Sequence, residues 1–185
     1  MIGLPRGRGW DGFAVRMLER DPLIKRIEAL YTWFSKAANS LQSPLLLTIR
    51  LYWGWQFLES GIDHLRNMSS FVEFMSSHGV PAPWLNAHFV ATLEAGGGIL
   101  LALGLASRLI AVPLTINMIV AYVVGDWDNL KAIFTDHAED FYKALPFSFL
   151  FVSVIILVFG PGRFSLDHLI HRHRTTRQSQ TAAAQ

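Results

Sequence analysis

Trp84–Ala106, WLNAHFVATLEAGGGILLALGLA, is followed after the single residue Ser107 by Arg108–Gly125, RLIAVPLTINMIVAYVVG. A helix rises about 1.5 Å per residue, so about 20 apolar residues are needed to cross a hydrocarbon core of about 30 Å. Each stretch meets or nearly meets that length. One helix made of both would be far too long, so the spacing predicts a tight helical hairpin unless the two form one bent helix. Outward from the hairpin, Pro44–Ile62 and Ala144–Gly160 are two further apolar stretches. The last is the shortest, and Phe141 and Tyr142 are expected to extend it into the membrane interface. The expected fold is all-α: an integral membrane bundle of four helices.

Orientation follows from lysine and arginine in the short flanks, which stay on the cytoplasmic side. Arg6, Arg8, Arg16, Arg20, Lys25, Arg26 and Lys36 precede the first span, Arg108 sits in the hairpin, and Arg163, Arg172, Arg174 and Arg177 follow the fourth. All of these fall on one side of a four-span chain. The other side receives Arg66, Lys131 and Lys143 beside Asp126, Asp128, Asp136, Glu139 and Asp140. Both ends are therefore expected in the cytoplasm, in a multi-pass protein of the inner membrane. Met1 to Gly12 has no apolar core with a small-residue cleavage site, so no signal peptide is expected.

Before the first span, Leu23, Ile27, Leu30, Tyr31, Phe34, Ala38 and Leu41 recur at helical spacing while Lys25, Arg26, Glu28 and Lys36 take other faces. An amphipathic helix lying on the bilayer surface has this pattern, and so does a helix packed on a soluble partner. The organisation expected is a tail with this helix over 1–43, a membrane domain over 44–169, and a basic, unstructured tail over 170–185.

Composition excludes several chemistries. The 185 residues are 51% apolar and contain no cysteine. Thiolate metal sites, iron–sulfur ligation and internal thiol redox chemistry are thereby ruled out. A pI near 9.2 could suggest nucleic acid, but the basic residues cluster beside apolar segments, where they serve membrane attraction and topology. Nucleic acid is not an expected partner; the lipid bilayer is. His64, His78, His88 and His137 lie near the outer face without a ligand-spaced motif, so no metal is expected.

Charged groups at membrane depth are costly and should face the bundle with partners. Arg50 in span one, Glu94 in span two and Asn117 in span three fall at similar depths when rise is counted from opposite ends. An Arg50–Glu94 pair with Asn117 nearby is expected, either as an ion pair fixing helix register or as a site for a quinone headgroup or other substrate. Gly54 and Gly61 share the helical face of Arg50, and Gly97 and Gly98 follow Glu94. Small residues in such rows let helices approach closely.

Arg50-Leu51 with Gly54, Phe57 and Gly61, the Gly79-Val80-Pro81 turn, Glu94 with Gly97 and Gly98, Leu103-Gly104, Ser107-Arg108, and Gly160-Pro161-Gly162-Arg163-Phe164-Ser165-Leu166-Asp167 occur in this order. The set resembles the DoxX family of small prokaryotic membrane proteins over roughly 45–169. His64 is a departure, since many relatives have lysine there. The resemblance implies a four-helix membrane bundle and an accessory role in a membrane-associated redox system. Such a subunit would contact the quinone pool or a partner oxidoreductase, in a complex with another protein or as a homo-oligomer. The alternative it implies is a transport or export helper for a small molecule or a metal-binding modified peptide. No catalytic residue follows from it.

Overall fold

The computed structural model describes residues 22–183, so the arginines expected before residue 22 lie outside the described residues. Every regular element among these residues is helical. The chain divides into two units, residues 1–42 and 43–185, each taken by itself.

In the first unit, helix α1 begins at Pro22; its full extent is Pro22–Arg66, with Pro44 inside. Residues 22–42 are helical, as part of one helix that runs on through Pro44 rather than as a separate element, and Leu23, Ile27, Leu30, Phe34 and Leu41 along it are exposed.

The second unit contains the remainder of α1, then α2 (Met68–Ser77), α3 (Pro83–Leu103), α4 (Ser107–Gly125), the short α5 (Trp127–Lys131) and a 3-10 turn (Ala132–Phe134). It ends with α6 (Glu139–Lys143), α7 (Leu145–Phe159) and α8 (Leu166–Ala183). Two of these, α3 and α4, are long and apolar enough to cross a membrane, and α7 is apolar but shorter. The hairpin between α3 and α4 is real, but it turns earlier than Ser107. Gly104 caps α3 with φ +69°, a left-handed conformation that glycine adopts without steric cost. Ser107 is already helical.

Phe141 and Tyr142 do not extend the last apolar helix. They belong to α6, and Ala144 is extended between α6 and α7. Pro146 sits in the first turn of α7, where a missing N–H costs nothing. The Tyr122 hydroxyl of α4 donates to Phe141 O at 2.7 Å. Helix α8 runs from Leu166 to Ala183.

Phe57 of α1, Leu101 of α3, Ala111, Leu114 and Met118 of α4, and Val152 and Ile156 of α7 form one buried apolar core. Much of what surrounds it is apolar and exposed, including Leu51, Trp55, Phe89, Leu109, Ile116 and Phe151. An apolar exterior of this extent is unfavourable in water and suits lipid. Glycines set the spacing of α1 on α3. A Cβ on Gly54 would lie 2.8 Å from Gly98 O, and one on Gly98 would lie 2.5 Å from Gly54 O and Leu58 N. One on Gly61 would strike Ala95 N and Ala91 O. Backbone meets backbone along this seam.

Candidate functional site

The seam fixes an antiparallel register: Gly54 meets Gly98 and Ala102, and Gly61 meets Ala91 and Ala95. Extrapolated in both directions, it sets Ser60 opposite Glu94 and Arg50 opposite Gly104. Glu94 and Gly104 are ten residues apart on α3, about 15 Å at helical rise. The expected Arg50–Glu94 pair is therefore not formed. Depth counted from assumed membrane boundaries accumulates error at both ends, whereas glycine contacts measure register directly.

Glu94 is 5% exposed and has three polar neighbours. Ser60 Oγ donates to Oε2 at 2.9 Å, Asn117 Nδ2 donates to Oε1 at 2.9 Å, and His64 Nε2 lies 3.6 Å from Oε2. Glu94 and Asn117 are thus brought together as expected, with Ser60 and His64 taking the place given to Arg50. Ser60 carries no signal in the sequence, because a serine in an apolar helix usually bonds its own backbone. Only the register of α1 on α3 turns it toward Glu94. His64 is held on its other side by Phe71 of α2, the rings stacked 3.8 Å apart and 6° from parallel.

These groups form one wall of a cleft of about 460 Å³. Its polar wall is Gln56, Glu59, Ser60, Asp63, His64 and Glu94; its apolar wall includes Phe57, Met118, Leu145 and Phe149. Carboxyl, imidazole and amide groups can donate to or accept from carbonyl and hydroxyl oxygens, while the facing apolar surface suits a hydrophobic ring or tail.

Arg50 belongs to a second constellation, at the opposite end of the seam. It is fully buried, donates through Nη2 to Phe164 O, and packs on Gly104, whose missing side chain leaves it room. Asp167 accepts from Ala106 N at 2.7 Å and Ser107 N at 3.0 Å, so it caps α4 from 60 residues away. Its own N–H donates to Gly104 O at 3.0 Å. Arg108 donates to Val158 O at 3.1 Å, closing the C-terminal turn of α7. The closing run 160–167 thus clasps the hairpin. Gly54, Gly61 and Gly98 line the α1–α3 seam, while Gly97 faces Leu114 of α4, where a Cβ would lie 3.1 Å from the leucine methyls.

Comparison with known proteins agrees with this geometry. The DoxX family profile matches residues 45–127, the part of the chain that holds the seam, the cleft residues of α1 and α3, and Arg50. "Putative oxidoreductase CatD" of Bacillus subtilis is 28% identical over 126 residues, 68% of this chain and 87% of that protein. "Inner membrane protein YphA" of Escherichia coli is 28% identical over 125 residues, 66% of this chain and 88% of that protein. "Uncharacterized membrane protein Rv3486" of Mycobacterium tuberculosis is 30% identical over 148 residues, 71% of this chain and 85% of that protein. No solved structure matches the chain. With the ordered glycines, the buried arginine and the closing clasp accounted for by contacts, and with relatives named as membrane proteins that this chain matches over most of their length, the chain belongs to the DoxX family.

Proposed function

We propose that this membrane protein is an accessory subunit of a membrane-associated redox system, and that its cleft takes a quinone headgroup. The carrying observation is the Glu94 carboxyl, held by Ser60 and Asn117 in a cleft whose lining is polar on α1 beside Glu94 and apolar where α4 and α7 contribute Met118, Ala121, Leu145 and Phe149. The group fits these residues. A quinone offers two oxygens to hydrogen-bonding groups and an apolar ring and tail to the opposite wall, and the volume lies within the range of small-molecule sites, about 300 to 1,000 Å³. The bound group would supply electron transfer; the chain would bind and orient it. A relative named as an oxidoreductase supports the redox association. Arg50 has no part in this site and serves the clasp.

Quinone content tests the reading. Wild-type protein purified into nanodiscs should retain quinone above the level of empty discs, measured by mass spectrometry of the extract. Glu94→Gln should lower binding of a water-soluble short-chain quinone roughly fivefold, as expected for losing one hydrogen bond of about 1 kcal/mol. Equal quinone in protein-containing and empty discs would sink the proposal.

The same reading has α1 from residue 44, α3, α4 and α7 crossing the inner membrane, with both ends in the cytoplasm. Their shared core and the exposed apolar exterior support it, as does the lysine and arginine bias. The absence of native cysteine makes labelling clean. Cysteines at Ser70 and Asn129 should react with a membrane-impermeant maleimide in intact cells, and those at Ser40 and Arg174 only after lysis. Labelling of position 174 in sealed cells would overturn the orientation.

A further inference from the structure

Glu94 has an acidic oxygen facing the cleft and, across 3.6 Å, one imidazole nitrogen. The two groups differ in access: the Glu94 side chain is 6% exposed and that of His64 is 34% exposed. His64 is the sole lining residue that is both basic and within ion-pair distance of Glu94. Phe71 stacks on one face of its ring and holds the imidazole beside Glu94. Asp63, next to His64 in the chain, and Glu59, next to Ser60, also line the cleft and are exposed. The residues that α4 and α7 contribute to the cleft lining, Met118, Ala121, Leu145, Pro146 and Phe149, are not titratable; Glu73 lies on α2, the helix that carries Phe71.

We infer that His64 is the proton connection between Glu94 and the aqueous phase on the Asp63 side. The claim rests on the reading of the cleft as a functional site, and it assigns that site's proton exchange to one end of the molecule. The neutral Nε2–H imidazole takes a proton at Nδ1 from a hydronium ion beside Asp63, which leaves water and an imidazolium. The imidazolium gives its Nε2 proton to the Glu94 carboxylate at Oε2, directly after a small shift that shortens 3.6 Å to hydrogen-bond length or through one water, and remains as the neutral Nδ1–H ring. The same two steps in reverse return the proton to water and restore the ring. The carboxylates at the rim hold a proton supply near the ring, and Ser60 and Asn117 keep the Glu94 oxygens aimed in fixed directions. His64 acts through Glu94 and is a positioning and relay residue.

Infrared hydrogen–deuterium exchange on the full chain in nanodiscs tests this at the acidic pH where Glu94 is protonated. The protonated-carboxyl band abolished in Glu94→Gln identifies the group. In wild type the band should shift promptly on transfer to D2O. His64→Ala should slow the shift at least about tenfold, and free imidazole should restore it, as general acid–base relays allow. A His64→Gln variant, close in size, should be slow as well and guards against collapse of the cleft in the alanine variant. Exchange at the wild-type rate in both variants would overturn the inference. So would restoration by N-methylpyrrole, which fills the space without carrying a proton. Quinone content is read on the same wild-type discs. Slow exchange in the variants without quinone in wild type would remove the quinone reading and leave the relay standing; normal exchange with quinone present would do the reverse.

Discussion

Alanine at Gly61 or at Gly98 is expected to lower the stability of the solubilised protein by about 3 kcal/mol or more, the upper end of what overpacking costs. The methyl group would meet backbone on the opposing helix in both cases: Ala95 N and Ala91 O for Gly61, Gly54 O and Leu58 N for Gly98. Backbone cannot rotate aside as a side chain can. The helices must separate, and contacts along the whole seam weaken together. In a membrane, where no hydrophobic force presses helices against one another, such close contact supplies much of their association. Thermal unfolding in detergent, followed by tryptophan fluorescence, should show the midpoint falling by roughly 6 to 12 °C. Gly96→Ala is the internal control. A Cβ there meets nothing within 4 Å, and alanine is the better helix former by about 1 kcal/mol, so stability should hold or rise. Equal losses at positions 61, 98 and 96 would show that the register assigned to α1 and α3 is wrong.

Asp167→Ala should cost about 3 kcal/mol, because two hydrogen bonds to a charged acceptor are lost at once and each is worth about 1.5 to 3 kcal/mol. Ala106 N and Ser107 N at the start of α4 lose their acceptor. The buried Arg50 also loses the charge that Asp167 places near it. Arg50→Met removes the donor to Phe164 O and should cost less, about 1 to 3 kcal/mol. Because the first change leaves Arg50 uncompensated, the Arg50→Met, Asp167→Ala double variant should lose clearly less than the sum of the singles. Arg50→Met combined with Glu94→Leu should instead be additive within about 0.5 kcal/mol, since about 15 Å separates the two positions along the seam. Chemical or thermal unfolding of the three single variants, Asp167→Ala, Arg50→Met and Glu94→Leu, and the two double variants decides it. Recovery of stability in the Arg50, Glu94 double variant would restore a direct pair between them.

The apolar stretches, their lengths and the single-residue gap after Ala106 were enough to foresee helices and a hairpin. Hydrophobic burial and the rise of a helix are properties of a segment and its own residues. Spacing marks Gly54, Gly61, Gly97 and Gly98 as packing positions, and depth in the bilayer puts Asn117 near Glu94. The hairpin's turning point was placed late, because a left-handed cap at Gly104 ends α3 before the apolar run ends. Phe141 and Tyr142 stand outside the last apolar helix because the backbone is extended at Ala144, a break that their aromatic character does not reveal.

Apart from Asn117 beside Glu94, the partners of the buried charges lay outside the reach of sequence. Arg50 was matched to Glu94 on depth alone, yet which residues meet depends on the register in which two glycine-lined surfaces lock, and a shift of a few residues changes every partner. That register carries Glu94 to Ser60, His64 and Asn117, and Arg50 to Gly104 and Phe164. The sequence by itself determined an all-helical, cysteine-free membrane protein of the DoxX family, with a buried carboxyl and a buried cation. Only the tertiary structure decided that these two charges serve different ends of the molecule, because non-local hydrogen bonds, such as Asp167 to the start of α4, exist only once distant segments have been packed side by side.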